Sequence, residues 1–371
     1  MLVSGFLKTR LQRALLVSVA LIGALAAALL TLVAYVQLAC QVPPSQVVQT
    51  PPRERAGSAD YHRSEESTYL TFPEWYMVYS ADEYAAFLRN NPSSQFPYFK
   101  AVGQFWHSYS CVYHFTKDRY QFNSENHTVL SVIGTSFIIE NGVKGLYEQS
   151  VGYLTELFTF GHRVEEEVYA QAVAAEYGTF LHTIPWYEFP FGEKLRGLWT
   201  QTPWWGKSPV RKWERKLALS AEYGGKGLYA ALIKRATRST FAPAELEIYA
   251  TIDSRSTPLL AQEPRLRVVQ RTDTATTIVS PRYEAFTQIM LPLLRQGLQF
   301  QDIAGNDEIL VTVLALADWH YTGADAATIF ALPILTNEQQ RVALQARVAA
   351  LHQIIPALEQ AGVTIEHLYD Y

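Results

Sequence analysis

His107, Cys111 and His114 stand at positions i, i+4 and i+7 of the stretch GQFWHSYSCVYHF. On a helix this spacing places all three side chains on one face, and imidazole and thiolate are ligands that zinc, copper or haem iron accept. With a rise of about 1.5 Å per residue, however, the two imidazoles lie about 10 Å apart, too far to bind one small ion together. At most two neighbouring side chains can therefore share a metal. The alternative interpretation is a buried, aromatic-rich helix.

A second group of ligand-type residues lies in GHRVEEEVYAQAVAAEYGTFLH. His162 with Glu165 or Glu166, followed by Glu176 and His182, offers carboxylate and imidazole ligands from a facing helix. The Glu-x-x-His motif of di-iron bundles is absent, and a helix dipole favours glutamates in a first turn without any metal. Together with the first group, these ligand-type residues make a metal- or haem-dependent enzyme, with an unidentified cofactor, the alternative function. Its candidate ligands are His107, Cys111, His114, Glu166 and His182.

Other catalytic motifs give little support to an enzyme. Gly225-x-Gly227-x-x-Ala230 is a loose match to a dinucleotide-binding fingerprint, but the residues before it have helical composition rather than that of a strand. We therefore expect a helix break there. The chain contains no Gly-x-Ser-x-Gly, His-Glu-x-x-His or Walker A sequence.

Residues 15–38 carry no charged side chain, and a helix of this length can cross a bilayer. A secretory signal has a shorter apolar region, of about 7 to 15 residues, so a retained anchor is expected. Lys8, Arg10 and Arg13 precede the segment, and the positive-inside rule places the N-terminus in the cytoplasm. The sequence predicts a single-pass membrane protein with the bulk of the chain outside the cytoplasm and the bilayer as a partner.

The chain has two cysteines, Cys40 directly after the apolar segment and Cys111 in the aromatic stretch. Two cysteines in such different contexts do not indicate a disulfide framework. The residues QLAC ending at Cys40 faintly resemble a lipoprotein cleavage box, from which Gln37 departs. Lipidation of Cys40 is an alternative to a free thiol.

We divide the chain into an anchor (1–40), a proline-rich linker (41–68), a helical, aromatic-rich domain (69–240) and an α+β domain (241–371). Apolar periodicity predicts helices over 96–115, 127–158, 164–182 and 209–238, and possible capping boxes begin at Thr71 and Ser80. The apolar run 129–139 is followed by Glu140, Lys144 and Glu148, which favours a buried soluble helix over a re-entrant or interfacial hairpin.

The C-terminal part changes to alternating, β-branched patterns typical of strands. Helices are predicted over 281–298 and 337–361, and Ala304 to Asp307 is expected to form a hairpin turn. The order of elements approximates a split βαβ sandwich of the ferredoxin-like type. The expected fold class is α+β, with an N-terminal transmembrane helix.

A basic stretch between residues 207 and 238 holds nine Lys or Arg and two Glu, with tryptophans nearby, whereas residues 140–193 hold nine Glu, one Lys and one Arg. Tryptophan beside a basic face is typical of a helix at a lipid surface. Pairing of the basic and acidic stretches within the chain is the favoured alternative. The candidate membrane-surface residues are Trp204, Trp205, Arg211, Lys212, Trp213, Arg215 and Lys216.

Three segments, TFPEWYMVY, PWYEFPF and TPWWGKSP, combine aromatic residues with proline and could line a groove for an apolar ligand or peptide. The 371-residue chain is 49% hydrophobic and has a net charge of -4, so nucleic acid is not an expected partner. The favoured function is a membrane-anchored binding or assembly protein. Its partner would be an apolar ligand or a membrane protein.

Overall fold

The computed structural model describes residues 30–40, 62–64, 66–159, 161–240 and 246–371. The N-terminal part of these residues is helical. Its helices are α1 (30–38), α2 (Ser67–Leu70), α3 (Phe72–Phe87), α4 (Tyr98–Thr116), α5 (Ser124–Tyr147), α6 (Tyr153–Glu156), α7 (Glu165–Leu181), α8 (Phe191–Gln201) and α9 (Pro209–Thr240). The C-terminal part is mixed. Its elements are β1 (Glu247–Asp253), β2 (Arg267–Arg271), β3 (Ala275–Pro281), α10 (Glu284–Arg295), β4 (Phe300–Ile303), β5 (Glu308–Leu316), β6 (Ala326–Pro333), β7 (Gln339–Arg347), α11 (Leu351–Gln360) and β8 (Thr364–Leu368).

This content confirms the α+β class. An N-terminal membrane span is not confirmed, because most of the predicted segment 15–38 lies outside the described residues, as does most of the linker 41–68. Within the described residues, one helical stretch, Ser124–Thr159, is long and apolar enough to cross a membrane. Length and composition alone are weak evidence for a span, since a core helix of a soluble protein passes the same test.

The long helices lie close to where apolar periodicity predicts them, but their ends are set by other residues. The predicted box from Ser80 to Glu83 lies inside α3, and the Thr71 hydroxyl donates to the Ser67 carbonyl rather than capping α3. The Asn123 side chain caps α5 by accepting from two backbone N–H groups of its first turn. Helix α9 continues through Gly225 and Gly227, so the expected helix break is wrong.

The C-terminal part contains the same topology twice. The first sheet has the order β2-β3-β1-β4 and the second has the order β6-β7-β5-β8. In each unit three strands are followed by a helix and a fourth strand, and the first strand lies between the third and the fourth. The ferredoxin-like sandwich is therefore not confirmed. The turn at Ala304 and Gly305, both with positive φ, leads from the first sheet into the second rather than closing a hairpin within one sheet.

The helix predicted over 337–361 begins only at Leu351, because Gln339–Arg347 form β7 and Val348–Ala350 form a short 3-10 helix. The sequence QQRVALQAR is rich in good helix formers, which explains the prediction. In the fold, β7 pairs with β5 on one side and β6 on the other, and most of its residues are buried. Pairing on both sides outweighs the local helical preference.

Helix α3 joins the helical part to the second sheet. Phe72 of α3 packs edge-on against Phe330 of β6, with ring centroids 4.9 Å apart. Beside this apolar contact, the guanidinium of Arg341 in β7 lies 3.0 Å from a Glu83 oxygen of α3 and 2.7 Å from a Glu366 oxygen of β8. Because these three side chains are largely shielded from water, each charge is stabilised by its oppositely charged partner. The two parts of the chain therefore share a core and an ionic contact.

Replacing Arg341 by Ala is expected to lower the free energy of unfolding by about 3–5 kcal/mol, because Glu83 and Glu366 would be left buried without their cation. Arg267→Ala is the matched control, since Arg267 lies on β2 in an exposed pair with Glu247 and should cost less than about 1 kcal/mol. Urea denaturation of the full chain in detergent measures both. Equal losses in the two variants would contradict the structural role given to Arg341.

Candidate functional site

The three residues of the aromatic stretch lie on α4 but have different partners. His107 Nε2 lies 3.6 Å from Cys111 Sγ. His114 lies apart from them, with its Nε2 3.0 Å from the carbonyl oxygen of Gln37 in α1. The stretch is mostly buried and aromatic around Cys111. His107 and His114 do not meet at one point.

Cys111 forms a disulfide with Cys40, although the cysteine count gave no reason to expect one. The bond forms because α1 packs on the C-terminal half of α4. Ser110 hydrogen-bonds through its hydroxyl to the carbonyl of Val36 and accepts from the backbone N–H of Cys40. These contacts bring together two cysteines that are 71 residues apart in sequence. No local sequence pattern predicts a contact between residues this far apart.

Cys40, His107 and Cys111 form the single group of three or more metal-ligand side chains that converge among the described residues, with ligand atoms within 4.8 Å of one another. Burial lowers the pKa of His107 and so favours the neutral imidazole. His107 also lines an open groove of about 480 Å³ between α4 and the end of β6. The sequence analysis identified His107 and Cys111 as neighbours but did not identify Cys40 as the third member.

Glu166 and His182 lie elsewhere and are already neutralised. Glu166 is fully buried, with one carboxylate oxygen 2.9 Å from the Nζ atoms of both Lys212 and Lys216. His182 Nε2 lies 2.7 Å from Asp82. The predicted five-residue metal site of His107, Cys111, His114, Glu166 and His182 is therefore corrected. Its members lie on different faces and, apart from His107 and Cys111, have other partners.

His182 belongs to a cluster of imidazoles and carboxylates where α7 ends. Its Nδ1 lies 3.6 Å from Glu284 of α10, whose carboxylate is 3.7 Å from His367 of β8. The hydrogen bond to Asp82 and the nearby Glu284 carboxylate raise the pKa of His182 to about 10. The two neighbouring imidazoles hold the pKa of Glu284 well below its usual range. These contacts join the end of α7 to α3, α10 and β8.

The basic residues assigned to a membrane surface are buried inside the protein. Arg211, Lys212, Arg215 and Lys216 follow one face of α9 and pair with carboxylates of the chain. Their partners are Glu148, Glu165, Glu166, Glu167 and Glu214. These four cations do not face solvent and so do not form a lipid-binding surface. Trp204 and Trp205 are exposed, and both contact the ring of Trp213.

The aromatic–proline segments have mixed positions. Trp75 and Tyr76 of the first segment are buried in the core that α3 shares with the second sheet. Phe189 and Phe191 of the second are buried between α7, α8 and α9. These four side chains lie inside packed cores instead of lining an open groove. Only the third segment, around Trp205, presents large aromatic surface to solvent.

Helices α5 and α9 carry a wide apolar surface, here named the α5–α9 face. They run antiparallel, as the contacts Ser136–Tyr229 at 3.3 Å and Lys144–Glu222 at 2.9 Å show. Of the eight large apolar side chains on the two helices that are between 57% and 67% exposed, seven are assigned to this face. They are Val132, Ile139, Val143 and Leu146 of α5 and Leu217, Leu228 and Leu232 of α9.

Both sets of exposed side chains lie on the same side of the helix pair. In α5, Val143 directly precedes Lys144, which faces α9; in α9, Leu228 directly precedes Tyr229, which faces α5. In each helix the exposed residue is thus rotated about the helix axis by one position from a residue at the interhelix contact. Because the helices are antiparallel, these equal rotations turn both apolar stripes toward the same side of the pair. Clustered exposed apolar side chains of this kind mark a protein–protein or membrane interaction site. In the most apolar window of Ser124–Thr159 only 22% of the residues are buried.

Comparison of the chain with protein-family models, with curated proteins and with solved structures finds no match. A function is therefore inferred from the geometry of two features, the α5–α9 face and the Cys40–His107–Cys111 group.

The His182 cluster generates a prediction about pH. Because its pKa is raised in the folded protein, the stability that His182 contributes is fully present below about pH 6.5 and is lost as the pH rises through about 10. His182→Gln should flatten the decline in unfolding free energy between pH 7 and pH 10 relative to the wild type. His320→Gln, which changes an exposed histidine, should leave that decline unchanged. Identical pH profiles for wild type and His182→Gln would contradict the proton-linked role of His182.

Proposed function

We propose that the chain is a membrane-anchored assembly protein that pairs with a second copy of itself through the α5–α9 face. The observation that carries this proposal is the unpartnered apolar surface shared by two long antiparallel helices. Residues 15–38 supply the anchor in this proposal. The partner is protein rather than a small ligand, because the surface is a helix-pair face and not a cavity.

The spacing along α5 supports helix-on-helix packing. Val132, Ile139, Val143 and Leu146 follow one another at intervals of seven, four and three residues, which is the repeat of a seam between packed helices. The neighbouring charges are already satisfied within the chain, since Glu140 pairs with Lys226 and Lys144 with Glu222. A second copy supplies the same apolar stripe, so the surface is complementary to itself about a two-fold axis.

The direction of α5 favours a protein partner over the bilayer. Along their contact α1 runs opposite to α4, since Gln37 meets Tyr113 and Cys40 meets Cys111. Helix α5 also runs opposite to α4, since His127 meets Tyr109 and Gly145 lies against Tyr98. Helices α1 and α5 therefore point the same way. If residues 15–38 span the bilayer, α5 extends away from it, and the α5–α9 face stands beside other anchored copies.

The disulfide supports the proposed side of the membrane. Disulfides form and persist in oxidising compartments outside the cytoplasm. Cys40 directly follows the proposed anchor, and its bond to Cys111 supports a location of the folded part on the oxidising side. This agrees with an N-terminus in the cytoplasm, as the basic residues Lys8, Arg10 and Arg13 suggest. A metal- or haem-dependent enzyme using all five predicted ligands is not proposed, since those ligands do not converge.

Pairing with α5 parallel to its partner would bring the two copies of Leu146 together across the seam. Leu146→Cys is therefore expected to give a covalent dimer when membranes containing the full chain are mildly oxidised. Leu316→Cys is the matched control, because Leu316 at the end of β5 has the same 66% exposure and lies on no proposed interface. Non-reducing electrophoresis measures the dimer. Equal, weak cross-linking at both positions would count against pairing through α5.

A charge placed in the seam should separate the two copies. Leu228→Glu is expected to shift the full chain in detergent from dimer to monomer by light scattering, because it buries an unpaired carboxylate at the interface. Leu246→Glu, at a nearly equal 68% exposure just before β1, should leave the dimer intact. A monomeric wild type would overturn the proposal. So would a fluorophore at Leu146→Cys that is quenched by lipid-borne quenchers, since the face would then contact lipid.

A further inference from the structure

We propose that Cys40, His107 and Cys111 form a reducible metal site that binds a thiophilic cation, Zn(II) or Cu(I), once the disulfide is opened. This inference does not depend on the α5–α9 face. It concerns a different surface, where α1 meets α4 beside the groove that His107 lines. In the oxidised protein the two sulfur atoms bond to each other and no metal is held.

The distances fit metal binding with little rearrangement. In a tetrahedral zinc site with Zn–S and Zn–N bonds of about 2.3 and 2.05 Å, a thiolate sulfur and an imidazole nitrogen lie about 3.6 Å apart. His107 Nε2 and Cys111 Sγ are 3.6 Å apart in the protein. The same bond lengths require the two sulfur atoms to stand about 3.8 Å apart. Binding therefore requires mainly that the two sulfur atoms separate after reduction.

The ligand types match soft cations. Two thiolates and an imidazole favour Zn(II) and Cu(I) over hard cations such as Mg²⁺ or Ca²⁺. His107 Nε2 already lies beside the Cys111 sulfur, so the imidazole needs little movement to act as a ligand. Three protein ligands suit three-coordinate Cu(I), or Zn(II) with a fourth ligand that is not supplied by these side chains.

The chemical steps balance with one named co-reactant. A dithiol reductant attacks the Cys40–Cys111 bond, supplies two electrons and two protons, and is itself oxidised to a disulfide. The protein then holds two thiols. Binding of the cation displaces the two thiol protons and leaves a dithiolate–imidazole site. The metal then replaces the covalent bond as the link between α1 and α4.

The test uses the full chain purified in detergent and reduced with a phosphine, which leaves no competing thiol. Zn(II) is titrated in one arm and Cu(I) in the other, each against a chromophoric chelator for that ion. Reduced wild type is expected to take up about one equivalent of at least one cation, and oxidised protein none. The arm that shows uptake identifies the cation.

Variants on the same helix assign the ligands. His107→Ala should weaken binding more than tenfold, and Cys111→Ser should abolish it. His114→Ala, one turn further along α4, should bind like the wild type, because its imidazole faces Gln37. Circular dichroism of each reduced variant shows that it remains folded. The proposal is overturned if reduced wild type binds neither cation more tightly than Cys40→Ser/Cys111→Ser, or if His107→Ala binds like the wild type.

Discussion

A charge taken out of water must meet an opposite charge, and this requirement decides which helices of the protein lie together. Arg341 meets Glu83 and Glu366 and so joins α3 to the second sheet. Lys212 and Lys216 meet Glu166 at the start of α7 and fix α9 against it. Each partner comes from a distant segment, and removing one would leave a buried charge that costs several kcal/mol. Arrangements of the helices that separate these pairs are therefore disfavoured.

The sequence predicted the elements better than their contacts. Apolar periodicity indicates α4, α5, α7 and α9 because each buries one face, and the opposite charges of α9 and the acidic stretch indicate pairing between them. The sequence does not say which carboxylate meets which cation, because that depends on the rotation of both helices. It also fails for β7, whose helix-forming residues are held by two neighbouring strands. Only the assembled sheet contains that information.

For the candidate sites too, the sequence predicts which residues are neighbours along a helix but not which distant segments meet them. The helical spacing alone implies that His107 and Cys111 are neighbours and that His114 is too distant to join His107 on one ion. The third member, Cys40, could not be found in this way, because only the packing of α1 on α4 brings it there. Likewise, the α5–α9 face needs two helices in register before its two apolar stripes become one surface. A single sequence reports residue types and local spacing, and sites assembled from distant segments lie beyond it.

The two units of the C-terminal part share a topology but differ in how far their equivalent edge strands are covered. The edge strands β6 and β2 occupy equivalent places in their sheets, yet β6 packs against α4 while every residue of β2 is exposed. An uncovered edge invites pairing with strands of other molecules, and charged residues discourage it. Strand β2 begins and ends with arginine, at Arg267 and Arg271. Helix α4 thus packs against the edge strand of one unit, whereas among the described residues the edge strand of the other unit is exposed and is bounded by charged side chains.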